Sequence, residues 1–162
     1  MARVYVSIGS NIDREAHIRG ALQSLSEQFG RLELSTVYES KAVGFEGGNF
    51  FNLVAGFTTR RSPYEIVDQL HRIEAAHGRR RNGPRLASRT LDIDLLLYDD
   101  LILSDAGLVI PREEITHQAF VLKPLAQLAG ERRHPVTRQT FAEMWRAFAG
   151  DQQALWPVEF SC

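Results

Sequence analysis

Hydrophobic and polar positions change period several times along the chain, and each change marks an element. Residues Arg3 to Ile8 alternate and are β-branched or aromatic at several positions, which predicts a strand. Gly9-Ser10-Asn11 reads as the break after it, and Asp13 as the cap of a helix carrying Ile18, Ala21, Leu22, Leu25 and Phe29 at helical spacing, with Gly30 as its stop. Alternation resumes from Leu32 to Ser40, with Leu32, Leu34, Thr36 and Tyr38 on one face. Val43 to Asn49 is glycine-rich and predicts a loop, and Phe50 to Thr59 predicts a further strand.

Ser62-Pro63-Tyr64-Glu65 carries three agreeing signals for a helix start: a capping serine, proline at the first helical position and a glutamate that closes a capping box. Ile66, Leu70, Ile73 and His77 then mark one face, Val67 and Glu74 lie beside it, and Gly78 is the stop. Leu91 to Tyr98 predicts a strand, Asp99-Asp100 a tight turn and Leu101 to Leu103 a short return strand. Helices are expected near Ala119 to Ala129 and Thr140 to Ala149, and after Gly150 the pattern fades. The order strand, helix, strand, strand, helix, strand, with helices appended, predicts an α+β fold, a ferredoxin-like antiparallel sheet with helices packed on it. One domain over residues 1–162 is expected from the length.

Composition narrows the function. The only cysteine is Cys162, so neither a disulfide framework within the chain nor a cysteine metal cluster is available. No signal peptide is legible at the N-terminus and no run approaches a membrane span, so a cytoplasmic location and no membrane partner are expected. The net charge of -1 argues against a general polyanion binder. The charge is unevenly spread, however. Five arginines (Arg79, Arg80, Arg81, Arg85 and Arg89) fall between Gly78 and Leu91 without an acid, and Asp92 and Asp94 follow at once. Such a patch on a near-neutral chain points to a local anionic ligand.

Residues two apart on a strand face the same side, so Asp92 and Asp94 present their carboxylates together. Adjacent carboxylates repel unless a cation lies between them, and magnesium binds through few carboxylates and completes its shell with water and phosphate oxygens. Arginine forks match phosphate bidentately. Carboxylate pair and arginines together suit phosphoryl-type transfer from a magnesium nucleotide. The competing explanation, a solvated strand face with surface ion pairs, is weakened by the apolar run Leu95-Leu96-Leu97 directly after the acids. Phe50 and Asn52, two apart on one strand face, offer a flat wall and an edge-reading amide for a heterocycle, although core packing would also explain Phe50. For Glu74 the alternative is a solvated helix face, and for Gly9-Ser10-Asn11 ordinary turn chemistry. His71, His77 and His117 show no metal-ligand spacing.

The segment Arg85-Leu86-Ala87-Ser88-Arg89-Thr90-Leu91-Asp92-Ile93-Asp94-Leu95-Leu96 resembles the signature of the 6-hydroxymethyl-7,8-dihydropterin pyrophosphokinase family. The resemblance extends to Tyr5 through Asn11, Tyr38-Glu39-Ser40, Val43-Gly44, Phe50-Phe51-Asn52, Arg72-Ile73-Glu74, Gly78 through Arg81 and Phe120 through Leu125, covering roughly Val4 to Leu128. It implies transfer of pyrophosphate from ATP to the hydroxymethyl group of a reduced pterin, with release of AMP, in folate biosynthesis. It also implies two Mg2+ ions bridged by Asp92 and Asp94, with Asp92 near the attacking hydroxyl and Arg79 and Arg89 assisting the transfer. By the same resemblance the pterin pocket comprises Gly9, Ser40, Ala42, Val43, Phe50, Asn52, Asp92 and Phe120. The ATP side comprises His71, Glu74, Arg81, Arg85, Arg89, Ile93, Asp94 and Arg112. The chain departs from the family pattern at Leu86-Ala87-Ser88, where a tryptophan is usual, and at Lys41-Ala42, where a proline pair is usual. His71, Arg112 and Gln118 also replace the family's usual glutamine, histidine and arginine. Two other classes compete with the enzyme: a diverged paralogue that binds a pterin with little turnover, or uses another pterin, and a basic-loop nucleic-acid binder. The second is disfavoured because aromatics are not interleaved with the arginines.

Overall fold

A computed structural model describes residues 1–41, 48–78, 91–148 and 153–160. Its main sheet has the strand order β5-β1-β4-β3-β8, with β2 also paired to β4. The strands are β1 (Ala2–Ser10), β2 (Glu33–Leu34), β3 (Val37–Ser40), β4 (Phe50–Thr59), β5 (Asp92–Tyr98) and β8 (Leu155–Val158). Every pairing in it is antiparallel. A separate two-stranded ribbon is formed by β6 (Leu103–Asp105) and β7 (Leu108–Ile110). The run β5-β1-β4-β3, with β1 between β4 and β5, is the expected ferredoxin-like arrangement.

Alternation along the strands sorts the core into two clusters. Val4, Val6 and Ile8 of β1, with Leu53, Ala55 and Phe57 of β4, pack against Ile18, Leu22 and Leu25 of α1 (Arg14–Phe29) and Ile66 and Leu70 of α2 (Pro63–Ala76). Phe29 stacks on the fully buried Phe57 with ring centroids 4.3 Å apart. The opposite face contributes Tyr5, Val54, Leu96 and Leu97 to a second cluster with Val121, Leu122 and Leu125 of α3 (Ala119–Ala129) and Phe141 and Met144 of α4 (Phe141–Ala147). The register shifts where Tyr5 and Val6 meet β5, and this irregularity turns both Leu96 and Leu97 toward the second cluster. The consecutive leucines of β5 therefore serve both faces of the sheet.

Local chemistry explains most boundaries. Ser62 and Glu65 make the expected capping box, and Thr140 and Glu143 make a second one for α4. Gly30 and Gly78 follow α1 and α2 at φ +82 and +84, values open to glycine at no steric cost. Several expectations are corrected. Gly9 and Ser10 do not break β1, because both remain paired to Asn52 and Phe51 of β4. Asp13 stands at the N-cap of α1 with φ 45 and its side chain makes no capping bond. The strand expected from Leu32 to Ser40 is interrupted at Ser35, whose N–H donates to the Val54 carbonyl and whose hydroxyl accepts from the Val54 N–H. Leu101 and Ile102 do not form a return strand, since pairing starts only at Leu103 and its partner is Ile110. The final helix ends at Ala147. Beyond the fading pattern β8 pairs Val37 through Ser40 with Val158 through Leu155. No described helix is long and apolar enough to cross a membrane.

Candidate active site

The face of the sheet under α3 carries the candidate residues, and strand register brings them together. Gly9 of β1 has Asp92 of β5 as its partner on one side and Asn52 of β4 on the other. Tyr38 of β3 continues the row beyond Asn52. In the next row Asp94 is opposite Ser7, and at the other end Ser40 is opposite Phe50. Inter-strand spacing places Asp92 and Asn52 roughly 10 Å apart across Gly9.

Gly9 is what leaves room over the middle of this row. A Cβ there would lie 3.2 Å from the Asn52 Oδ1 and 3.8 Å from the Phe50 ring. Asn52 is buried, and its Nδ2 donates to the Ser40 hydroxyl at 2.7 Å. That bond fixes the amide orientation, so one polar edge is committed to the protein while the carbonyl oxygen stays over Gly9. Phe50 is half-buried at the start of β4. Phe120, also half-buried, lies in the first turn of α3 and packs on the second cluster. Of the two rings, Phe50 is the one that lies beside the Gly9 position.

On the outer edge of the sheet the electrostatics change. β5 is an edge strand, and its Ile93 N–H donates to the Glu74 Oε2 at 2.8 Å. Glu74 is fully buried, so it does not lie on a solvated helix face; the last turn of α2 delivers its carboxylate to the N–H of an edge strand. Arg112 reaches the same edge. Its N–H donates to the Leu96 carbonyl, and its side chain lies 3.5 Å from Asp94 and 2.6 Å from Glu114. Burial is the largest influence on Arg112 and works against its charge, yet Asp94 and Glu114 outweigh it and raise its pKa.

Asp94 is held up to a pKa of about 7, first by burial and then by the charge of Asp92, with Glu74 and Glu114 adding and Arg112 opposing. Asp92 and Asp94 thus set two carboxylates on one strand face, with the Arg112 guanidinium 3.5 Å from Asp94. A hard divalent cation suits such a carboxylate pair. Among the described residues no group of three or more metal-ligating side chains gathers, so a cation here would take much of its shell from water and phosphate, as magnesium does.

The geometry thus joins Gly9, Ser40, Asn52 and Asp92 in the sheet floor, with Phe50 at its rim, and joins Glu74, Ile93, Asp94 and Arg112 along the outer edge, while Phe120 stands in the first turn of α3. His71 is exposed on α2, one turn before Glu74. Ala42, Val43, Arg79, Arg81, Arg85 and Arg89 lie outside the described residues. Three residues of the site escaped the sequence reading. Ser7 and Tyr38 fell in segments of the resemblance but were given no role, and register sets Ser7 opposite Asp94 and Tyr38 beside Asn52. The pair Arg112 and Glu114, two apart after Pro111, was a legible signal for Glu114 as the partner of Arg112.

Residues 5–130 match the family model described as 7,8-dihydro-6-hydroxymethylpterin-pyrophosphokinase. The chain is 36% identical over 148 residues to the 2-amino-4-hydroxy-6-hydroxymethyldihydropteridine pyrophosphokinase of Aquifex aeolicus, covering 88% of this chain and 90% of that one. It is 37% identical over 140 residues to the Pseudomonas aeruginosa enzyme of the same name, covering 82% and 84%. In fold it is similar to a Plasmodium falciparum HPPK-DHPS structure, with TM-score 0.72 at 15% identity over 93% of this chain and 45% of that one. The chain therefore spans less than half of that solved protein and nearly the full length of its bacterial relatives. With the family model matched over most of its length, the chain belongs to the 7,8-dihydro-6-hydroxymethylpterin-pyrophosphokinase family and is an ATP-dependent pyrophosphokinase of folate biosynthesis.

Proposed function

We propose that the reduced pterin lies over Gly9, between the rings of Phe50 and Phe120, with its edge read by Asn52 and its hydroxymethyl group directed toward Asp92. The observation that carries this is the row Asp92, Gly9, Asn52, which sets a heterocycle reader and a carboxylate pair one open glycine apart. Ser40 fixes the Asn52 amide from behind, and Ala42 and Val43 complete the pocket. ATP approaches along the outer edge of β5, past His71, Glu74, Ile93, Asp94 and Arg112, with Arg81 and Arg85 on its phosphates.

Asp92 and Asp94 would hold two Mg2+ ions, which would supply positive charge to neutralise the polyphosphate. Arg79 and Arg89 offset the charge that develops on the transferred group. The hydroxymethyl oxygen forms a bond to the β-phosphorus of ATP, and the bond from that phosphorus to the oxygen bridging it to the α-phosphorus breaks. AMP leaves with that oxygen, and the hydroxyl loses its proton beside Asp92. ATP and the reduced pterin are the partners of the site, neither nucleic acid nor a membrane is called for, and the chemistry suits the cytoplasm. Incubating the protein with Mg-ATP and 6-hydroxymethyl-7,8-dihydropterin should release AMP and the pterin diphosphate in equal amounts. ADP as the nucleotide product, or AMP without the pterin, would refute this assignment.

The floor of the pocket gives a sharper prediction. Gly9→Ala places a methyl group 3.2 Å from the Asn52 Oδ1, in the space assigned to the pterin. Asn52→Ala removes the reader itself, at a cost of roughly 1–3 kcal/mol for the unpaired partner. Calorimetry should show both variants weakened for the pterin by about tenfold or more, with ATP affinity within about twofold of wild type. Equal weakening for both ligands would mean that the fold was damaged instead.

A further inference from the structure

Helix α3 carries Phe120 in its first turn, yet it lacks a cap of its own. Gln118 occupies the N-cap in extended backbone, φ -119 and ψ 117, and its side chain makes no capping bond. The missing acceptor comes from the far end of the sequence. The Ala119 N–H donates to the Gln153 Oε1 at 2.7 Å, and the Gln153 Nε2 donates to the His117 carbonyl at 3.0 Å. One amide therefore satisfies both a donor and an acceptor at the entry to the helix, where unpaired backbone groups otherwise accumulate.

Two residues later the same segment becomes β8. There Leu155 is in register with Ser40, and Pro157 with Tyr38. Residues 153–158 thus run from the helix that carries one aromatic wall to the strand that carries Ser40, the residue orienting Asn52. At its other end α3 is tied to the same strand by a second glutamine. Gln127 Oε1 accepts from the Thr36 N–H at 3.0 Å and the Tyr38 hydroxyl at 3.2 Å, while its Nε2 donates to the Thr36 hydroxyl. The family match ends at residue 130, so Gln153 lies outside it.

We infer that Gln153 is a positioning residue for the pterin site: it caps α3 from the C-terminal segment and so sets Phe120 at a fixed height over the floor formed by Gly9 and Asn52. The inference rests on the assignment of Phe120 as a wall of the pterin pocket. Gln153 does not touch substrate and acts only through the helix end. Its loss should therefore appear in pterin KM and leave the nucleotide side, on the outer edge of β5, unaffected.

Steady-state kinetics of the full chain test this. Gln153→Ala should raise pterin KM by about tenfold, the usual scale for one or two lost hydrogen bonds, with kcat and ATP KM within about twofold. Adding Gln118→Ser to that variant supplies a local cap to α3 and should return most of the lost affinity, which a merely destabilising change would not permit. Phe120→Ala should itself raise pterin KM, and on that background Gln153→Ala should add less than about twofold, because the ring it positions is gone. Parallel losses for ATP and pterin, full additivity with Phe120→Ala, or no rescue by Gln118→Ser would overturn the inference. So would an unchanged pterin KM in Gln153→Ala alongside a raised one in Phe120→Ala. An unchanged pterin KM in Phe120→Ala would instead remove the pocket assignment beneath it.

Discussion

Asp94→Asn should lower turnover by on the order of a thousandfold and yet make the metal-free protein more stable. Both effects come from the same charge. In the folded chain the Asp94 carboxyl is held up to about 7, against an ordinary value of 3.8, by burial and by Asp92. The folded state therefore holds this proton more tightly than the unfolded state does. The resulting stabilisation is complete below pH 3.8, is lost as pH rises toward 7, and is absent above it. Asparagine carries no charge to desolvate, so at pH 8 the metal-free variant should melt several degrees above wild type. Magnesium with ATP should raise the Tm of wild type and leave the variant nearly unmoved, because the bound cation offsets the negative charge of Asp94, which asparagine does not carry. Thermal melts at pH 5 and pH 8, with and without Mg-ATP, read all three effects. An unchanged Tm at pH 8, or turnover near wild type at limiting magnesium, would sink the assignment of Asp94 as a strained metal ligand.

Arg89→Ala should reduce kcat by on the order of a hundredfold while ATP affinity falls only about threefold. The asymmetry follows from when the charge is needed. A guanidinium that only held the nucleotide would act equally in the ground state and the transition state, and its loss would appear mainly in ATP affinity. One that meets charge developing on the transferred group acts mainly in the transition state. Arg89 is two positions before Leu91, which is fully buried, and three before Asp92, so its place in the chain is close to the carboxylate pair. Arg80→Ala, with no assigned role, should remain near wild type. Single-turnover kinetics with ATP binding measured separately distinguish the two cases. Matched losses in binding and rate would reduce Arg89 to a nucleotide anchor.

Much of this was legible in the chain itself, for physical reasons that differ by residue. The capping box at Ser62 and Glu65, the limits of β4 and the extent of α3 were readable because each rests on contacts between near neighbours. The shared face of Asp92 and Asp94 followed from strand period alone. What stayed hidden depends on partners distant in sequence. A solvated helix face stayed open as the alternative for Glu74, because its acceptor role is defined by the N–H of Ile93, 19 residues on. Gly9 looked like turn chemistry, since nothing local shows that its missing side chain clears space beside Asn52. The strand β8 went unread because Leu155-Trp156-Pro157-Val158 is short and contains proline, which a sheet accepts only at an edge, as here.

The row across Asp92, Gly9 and Asn52 also makes the sheet a ruler. The distance from ring reader to carboxylate is two inter-strand steps, and backbone hydrogen bonding fixes each step near 4.8 Å. Side-chain exchange cannot stretch such an interval gradually. Moving either group along its strand while keeping its face takes a jump of two residues, nearly 7 Å. Acceptor length is therefore selected in discrete increments. An alcohol one or two bonds further from its ring would miss the transferred group however well the ring were bound, and would inhibit where the native substrate reacts.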